Sequence, residues 1–304
     1  MGRLGDVGDL RVGITAWTEK TLIEESDFYP PEANTPEERL RYYASQFPVV
    51  EVDSTFYGLP SERNAALWVE RTPRDFDFHV KAFATLTGHP TTPKQLPKDV
   101  REALPEELQA KRNVYPKDLP EELRDEVWER FREALMPLHS AGKLVAVLFQ
   151  YPPWFVISRR AKDEIVAAKE RLPDYRIVVE LRNKLWMEER NREETLAFLS
   201  EHDVPYVSVD MPQGFDSSIP PVAAATSDAL AVVRFHGRNE EVWTKKTKTA
   251  AERFNYRYDQ TELLEWVPRL EQLREQAKET HVLFNNCYRD HAVVNARQLA
   301  SLLE

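Results

Sequence analysis

The chain has 304 residues, 42% hydrophobic and 11% aromatic, which is enough apolar material for a large core and excludes a disordered or low-complexity protein. Its net charge of −10 disfavours general nucleic-acid binding, which depends on neutralising phosphates with Lys and Arg. The single cysteine, Cys287, excludes an internal disulfide framework and a multi-cysteine zinc site, and no apolar run reaches membrane-spanning length.

Residues 1–9 read as a flexible polar leader without an apolar signal region, so cytoplasmic residence is the expectation. Leu10–Trp17 is the first strand candidate, with Gly13, Thr15 and Trp17 on one face. Thr35-Pro36-Glu37-Glu38 announces a helix with a capping box, and Leu40, Tyr43, Ala44 and Phe47 form its apolar stripe. Val49–Val52 reads as a second, buried strand, but Glu51 and Asp53 share one side of it while Val50 and Val52 take the other. Ser61 caps the next helix. Phe76–Phe83 alternates as a third strand, with His79 and Lys81 on a common face.

From 85 to 120 the chain is rich in Pro, Thr and Lys without a clear period, and reads as a long loop insertion of the kind that is more often functional than accidental. A charged helix follows, with Leu123, Val127, Phe131, Leu135 and Leu138 at spacings of three and four. Leu144–Gln150 is a fourth strand, buried on both faces, and Ser158 starts the helix after it. Arg176–Arg182 is a fifth strand with Glu180 and Arg182 on one face, and Asn191 with Glu194 is expected to cap the following helix. Pro205–Asp210 is the sixth. The link 211–228 is too rich in Pro and Ser for a regular helix. Ala231–Asn239 is the seventh strand, with Arg234 and His236 on one face; Asp259 and Glu262 cap a long helix; His281–Asn286 is the eighth.

Eight strands alternating with helices over about 300 residues define a (β/α)8 TIM barrel in one domain, 1–304, with a Pro-rich insertion after the third strand. No Gly-rich phosphate fingerprint follows an early strand, which argues against a dinucleotide fold. In such a barrel, functional groups stand at the carboxyl ends of several strands. The polar residues at those ends are Glu51, Asp53, His79, Lys81, Gln150, Glu180, Arg182, Asp210, Arg234, His236, Asn285 and Asn286.

Charges of both signs inside a barrel must pair or meet a ligand. A structural ion-pair network, with Glu180 and Arg182 as its first candidates, is the bland alternative. The functional reading assigns Glu51, Asp53, Glu180 and His236 to acid–base catalysis. Lys81, Arg182, Arg234 and Arg238 would hold an anion, with Asn285, Asn286, Gln150, Thr15, Tyr57, His79 and Trp186 completing the binding surface. A divalent metal on Glu51, Asp53, Glu180 and His236 is the weaker option: there is no HExxH or His-x-His, and the cations work against it. Cys287 as a nucleophile, Trp17, Trp154 and Trp243 as stacking surfaces, His89 as a pocket contact, and the run Lys245–Lys248 as a solvated loop are smaller expectations.

Several segments together resemble the YecE-like family, known as domain of unknown function 72. They are Val12-Gly13-Ile14-Thr15-Ala16-Trp17, Val50–Tyr57 with Leu59-Pro60-Ser61, Phe78–Ala82, and Val179–Arg182 with Trp186. Val233–Arg238, Phe284-Asn285-Asn286 and Ala292–Ala296 extend the likeness over nearly the whole chain. The resemblance implies a TIM barrel but no particular reaction. A likeness of such barrels to endonuclease IV-type enzymes implies metal-dependent nucleic-acid processing, yet this chain lacks the dense His and carboxylate set of a trinuclear zinc site. Thr87-Gly88-His89 departs from the Thr-His that often follows the third strand's Lys. The expected function is therefore a hydrolase- or lyase-type enzyme acting on a small anionic, phosphorylated substrate. A metal-dependent nuclease and a non-catalytic binding protein for a nucleotide or sugar phosphate are the alternatives.

Overall fold

A computed structural model describes residues 5–245, 247 and 249–304; Lys246 and Lys248 of the lysine run and the first four residues of the leader lie outside the described residues. The eight barrel strands are β1 (Leu10–Thr15), β2 (Val49–Val52), β3 (Asp77–Lys81), β4 (Leu144–Gln150), β5 (Ile177–Glu180), β6 (Val207–Asp210), β7 (Leu230–Phe235) and β8 (Glu279–Phe284). They are parallel and lie in the order β5-β4-β3-β2-β1-β8-β7-β6. One parallel bridge, Val179 to Tyr206, joins the two ends, so the barrel is nearly closed. Parallel neighbours need crossovers, and the helices that supply them cover the outside of the sheet.

The helix Pro36–Gln46 begins as its sequence dictates: the Thr35 side chain accepts from the Glu38 N–H, and Glu38 reaches back to the Thr35 backbone. It buries Leu40, Tyr43 and Ala44. The Tyr43 hydroxyl then enters the ladder between β1 and β2, accepting from Ile14 N–H at 3.0 Å and donating to the Val49 carbonyl at 2.9 Å. Gly13 is required beside it, because a Cβ there would lie 2.1 Å from the Val49 carbonyl oxygen.

The structure departs from the sequence reading in five places. Asp6–Val7 is not loose leader but pairs antiparallel with Leu10 and Arg11. The insertion is a train of short helices, including Lys98–Glu102 and Glu106–Gln109, pinned by an antiparallel bridge between Thr91 and Val114. It buries Leu96, Val100, Leu104, Leu108 and Leu119; the first four recur every four residues, but Pro97 and Pro105 cut that stretch into separate turns. The helix Glu189–Glu201 starts at Glu188, without a side-chain cap; Asn191 instead donates to the Leu185 carbonyl at 2.7 Å. The long helix after β7 breaks at Glu265–Trp266 into Gln260–Leu264 and Val267–Gln276, with Pro268 in the first turn of the second. Finally, Tyr206, Ser208 and Asp210 of β6 face outward, so Asp210 leaves the interior and accepts from Tyr258 Oη and Trp266 Nε1, both at 2.7 Å.

Candidate functional site

Every strand except β6 sends a polar side chain toward the carboxyl-end face, and these side chains stand in two tiers. The deeper tier is centred on Arg234, which has no solvent exposure. Its Nη2 donates to Glu51 Oε1 and its Nη1 to Glu180 Oε2, both at 2.5 Å. Two buried carboxylates and one guanidinium close this tier, and its geometry is set by parallel register: β2, β5 and β7 present Glu51, Glu180 and Arg234 at one depth.

His236 lies in the same tier. Thr15 donates to Asn285 Oδ1 at 2.7 Å, which turns the Asn285 amide toward His236 Nδ1 at 2.8 Å. Nδ1 therefore accepts, and the ring proton sits on Nε2, 3.2 Å from Glu180 Oε1 and off the ideal hydrogen-bond direction. Burial lowers the His236 pKa to about 3, so the ring is neutral.

The upper tier lines a cavity of about 1080 Å³. Lys81 Nζ lies 3.2 Å from Asp53 Oδ1 and above the Phe56 ring. Arg182 Nε is 2.6 Å from Glu180 Oε1, an ion pair that is close but poorly aligned as a hydrogen bond, and its Nη2 is 3.5 Å from Gln150 Oε1. Asn285 and Cys287 line the same cavity, as does Arg253, the last residue of a short helix after β7. Arg253 makes no ion pair among the described residues, and its buried Nε has no partner.

Glu51 joins the tiers. Its carboxyl and that of Asp53 are close enough for their charges to oppose one another, so the second to ionise does so against the first. Burial, opposed by Arg234 and reinforced by Asp53, raises Glu51 to about 8, whereas Lys81 and Arg234 outweigh burial and hold Asp53 below its ordinary range. Near neutral pH the pair therefore keeps one proton, on Glu51. Three cations, Lys81, Arg182 and Arg234, then face two ionised carboxylates, Asp53 and Glu180, leaving one positive charge in excess before Arg253 is counted.

Of the residues singled out in the sequence, Asp53, Lys81, Gln150, Arg182, Asn285 and Tyr57 line the cavity. Several expected contacts do not. Arg234, Glu51, Glu180 and His236 lie beneath the floor with no exposure, so Arg234 holds carboxylates rather than a ligand. Arg238 sits outside the barrel on Asp210, Glu262 and Glu265. His79 is deeper still, its Nε2 2.8 Å from His281 Nδ1. Thr15 is buried against Asn285, Trp186 donates to the Phe155 carbonyl at 2.7 Å, and Asn286 donates to the Tyr256 carbonyl at 2.9 Å.

Cys287 reaches the cavity, but burial pushes its thiol up to about 12, which leaves no reactive thiolate near neutral pH. His89, from the insertion, does line the cavity and packs edge-on against Phe56 and Trp154. Arg253 was missed because it follows no strand and stands in a polar segment without a motif.

The metal option fits poorly. Each carboxylate of the ring is already opposed by a cation, and among the described residues no group of three His, Cys, Asp or Glu side chains is placed to hold an ion.

The fold and this cluster define a TIM-like α/β barrel with a charged cavity at the carboxyl ends of its strands. Residues 11–304 match the family described as "Protein of unknown function DUF72", and the chain belongs to that family. It is 33% identical over 296 residues to the UPF0759 protein YunF of Bacillus subtilis (strain 168), covering 96% of this chain and 94% of that protein. A DUF72 family protein from Thermotoga maritima MSB8 superposes with a TM-score of 0.75 at 30% identity, covering 96% of this chain and 98% of the other. One from Enterococcus faecalis V583 gives 0.76 at 26% identity, covering 96% and 94%. Among the described residues no helix is long and apolar enough to cross a membrane.

Proposed function

We propose that the cavity is the active site of an enzyme that performs acid–base chemistry, hydrolysis or elimination, on a phosphorylated or carboxylated substrate. The observation that carries this reading is the charge balance of the polar ring at the floor: with Glu51 protonated, Lys81, Arg182 and Arg234 outnumber the ionised Asp53 and Glu180, while the other two carboxylates of the lining, Glu19 and Asp216, are engaged by the Thr21 and Leu22 N–H groups and by Lys184. Arg182 and Arg253 supply planar donors for an oxyanion and Lys81 a point charge. Asp53 is the only carboxylate of the ring that lines the cavity, so it is the group that meets the reacting atoms and takes a proton from the substrate or from water. Glu51, beneath the floor and protonated, spares Asp53 a second negative charge, and Lys81 beside it keeps Asp53 ionised. His236 is a positioning residue: neutral and buried, it orients Asn285 and faces Glu180.

The experiment is a thermal-shift screen of phosphorylated and carboxylated metabolites, followed by product analysis of each hit. A bound ligand raises the melting temperature according to RT ln(1 + [L]/Kd). Wild type is expected to be stabilised, Arg182→Ala to lose the shift, and Asp53→Asn to bind without turnover. A library in which no anionic compound shifts the wild type would refute the reading. Binding without turnover in the wild type would favour a ligand-binding protein, which the closed ion-pair tier beneath the floor also accommodates.

A further inference from the structure

The cavity is far larger than a phosphate or carboxylate group requires. Its volume, about 1080 Å³, is at the upper end of sites that enclose drug-sized ligands, so an inorganic anion or a short aliphatic phosphate would leave most of it to water. One wall carries Tyr57, Phe56 and His89 in a row that Trp154 continues past the lining, with successive centroids 5.2, 5.0 and 5.7 Å apart. These come from the loops after β2, β3 and β4. The two ends of the row, Tyr57 and Trp154, are each 58% exposed, more than any other large hydrophobic side chain among the described residues. From the loop after β7, across the barrel from β3, come Trp243, whose ring Arg182 covers at 5.5 Å, and Phe254.

The row also presents an acceptor. The Thr87 hydroxyl donates to the Ala84 carbonyl at 3.1 Å, so its oxygen accepts from His89 Nδ1 at 2.8 Å. The proton is thereby fixed on Nδ1, and Nε2 keeps a free lone pair at the cavity wall.

We infer that the substrate is a nucleoside phosphate. Its anion would rest on Arg182 and Arg253, its base would stack within the Tyr57–Trp154 row, and an N–H of the base would meet His89 Nε2. This rests on the anion-binding reading above and adds the ring. Flat heterocycles gain from stacking on aromatic side chains whatever their sequence of atoms, and the lone pair selects one with a donor edge.

The test is calorimetric titration of the intact protein with adenosine, guanosine and uridine 5′-monophosphates, ribose 5-phosphate and inorganic phosphate. At least one nucleotide is expected to bind about tenfold or more tightly than ribose 5-phosphate, the lower range of one stacked base. The double variant Tyr57→Ala/Trp154→Ala is expected to lose that advantage while keeping its affinity for ribose 5-phosphate. Equal affinities in the wild type, or an advantage that survives the double variant, would overturn the inference and leave the anion site standing. Failure of all five compounds to bind the folded wild type would remove both.

Discussion

Glu51 carries the sharpest expectation at the scale of single residues. Its folded pKa is raised from 4.5 to about 8, so between those values the folded state holds a proton that the unfolded state has released. Stability contributed by this group is thus complete below about pH 4.5 and is lost progressively as pH rises through about 8. Glu180 and Asp53 have the opposite sign, since their lowered values make stability fall on acidification. Glu51→Gln mimics the protonated acid, so it is expected to flatten the alkaline decline and to exceed wild type in stability at about pH 9. Urea unfolding of the two proteins across pH measures this, and parallel curves would refute the assignment of the proton to Glu51.

Arg234 is the opposite case. Arg234→Met leaves Glu51 without its cationic partner and takes the better aligned of two cations from the buried Glu180, and is expected to cost about 3–5 kcal/mol of unfolding free energy at neutral pH. Arg182→Ala should cost less, because Glu180 keeps Arg234 and His236 as partners. Equal losses in denaturant titrations would show that the two tiers do not differ as described.

At the scale of elements, the period-two alternation of the strands made the polar ring legible, and the capping residues placed the helices that separate them. Glu51 with Asp53, Glu180 with Arg182, and Arg234 with His236 each share a face two residues apart, which is all that a sequence pattern records. Depth was not legible. Two residues span about 6.6 Å of strand, enough to put Glu51 under the floor and Asp53 in the cavity.

Facing was also lost at β6, where either parity of Pro205–Asp210 would put apolar side chains on one side. The insertion escaped because its apolar residues, Leu96 to Leu119, serve several one-turn helices. They are nonetheless core: Val100→Ala should cost about 2 kcal/mol or more and open the segment to limited proteolysis ahead of the barrel. Cleavage at wild-type rates would mean the insertion is held by something other than this packing. The Thr35 cap, read correctly from sequence, predicts a loss of about 1 kcal/mol for Thr35→Ala, measurable by chemical unfolding.

For the whole molecule, a net charge of −10 coexists with a ring of cations at the barrel axis. Lys81, Arg182 and Arg234 stand together there, where low dielectric strengthens their interactions with neighbouring charges. The ring's charge excess depends on the proton that Glu51 retains, so the proposed anion affinity is expected to follow the ionisation of this residue beneath the floor. Burial holds Cys287 at about 12 and His89 at about 4, on either side of the value of about 8 for Glu51.

The most direct measurement is the affinity of the wild type and of Glu51→Gln for a phosphorylated ligand found in the screen, at about pH 7 and about pH 9.5. The wild type is expected to bind markedly more weakly at the higher pH while Glu51→Gln binds alike at both. Wild-type affinity that does not change across this interval would mean that a protonated Glu51 is not what leaves the polar ring with a positive charge in excess.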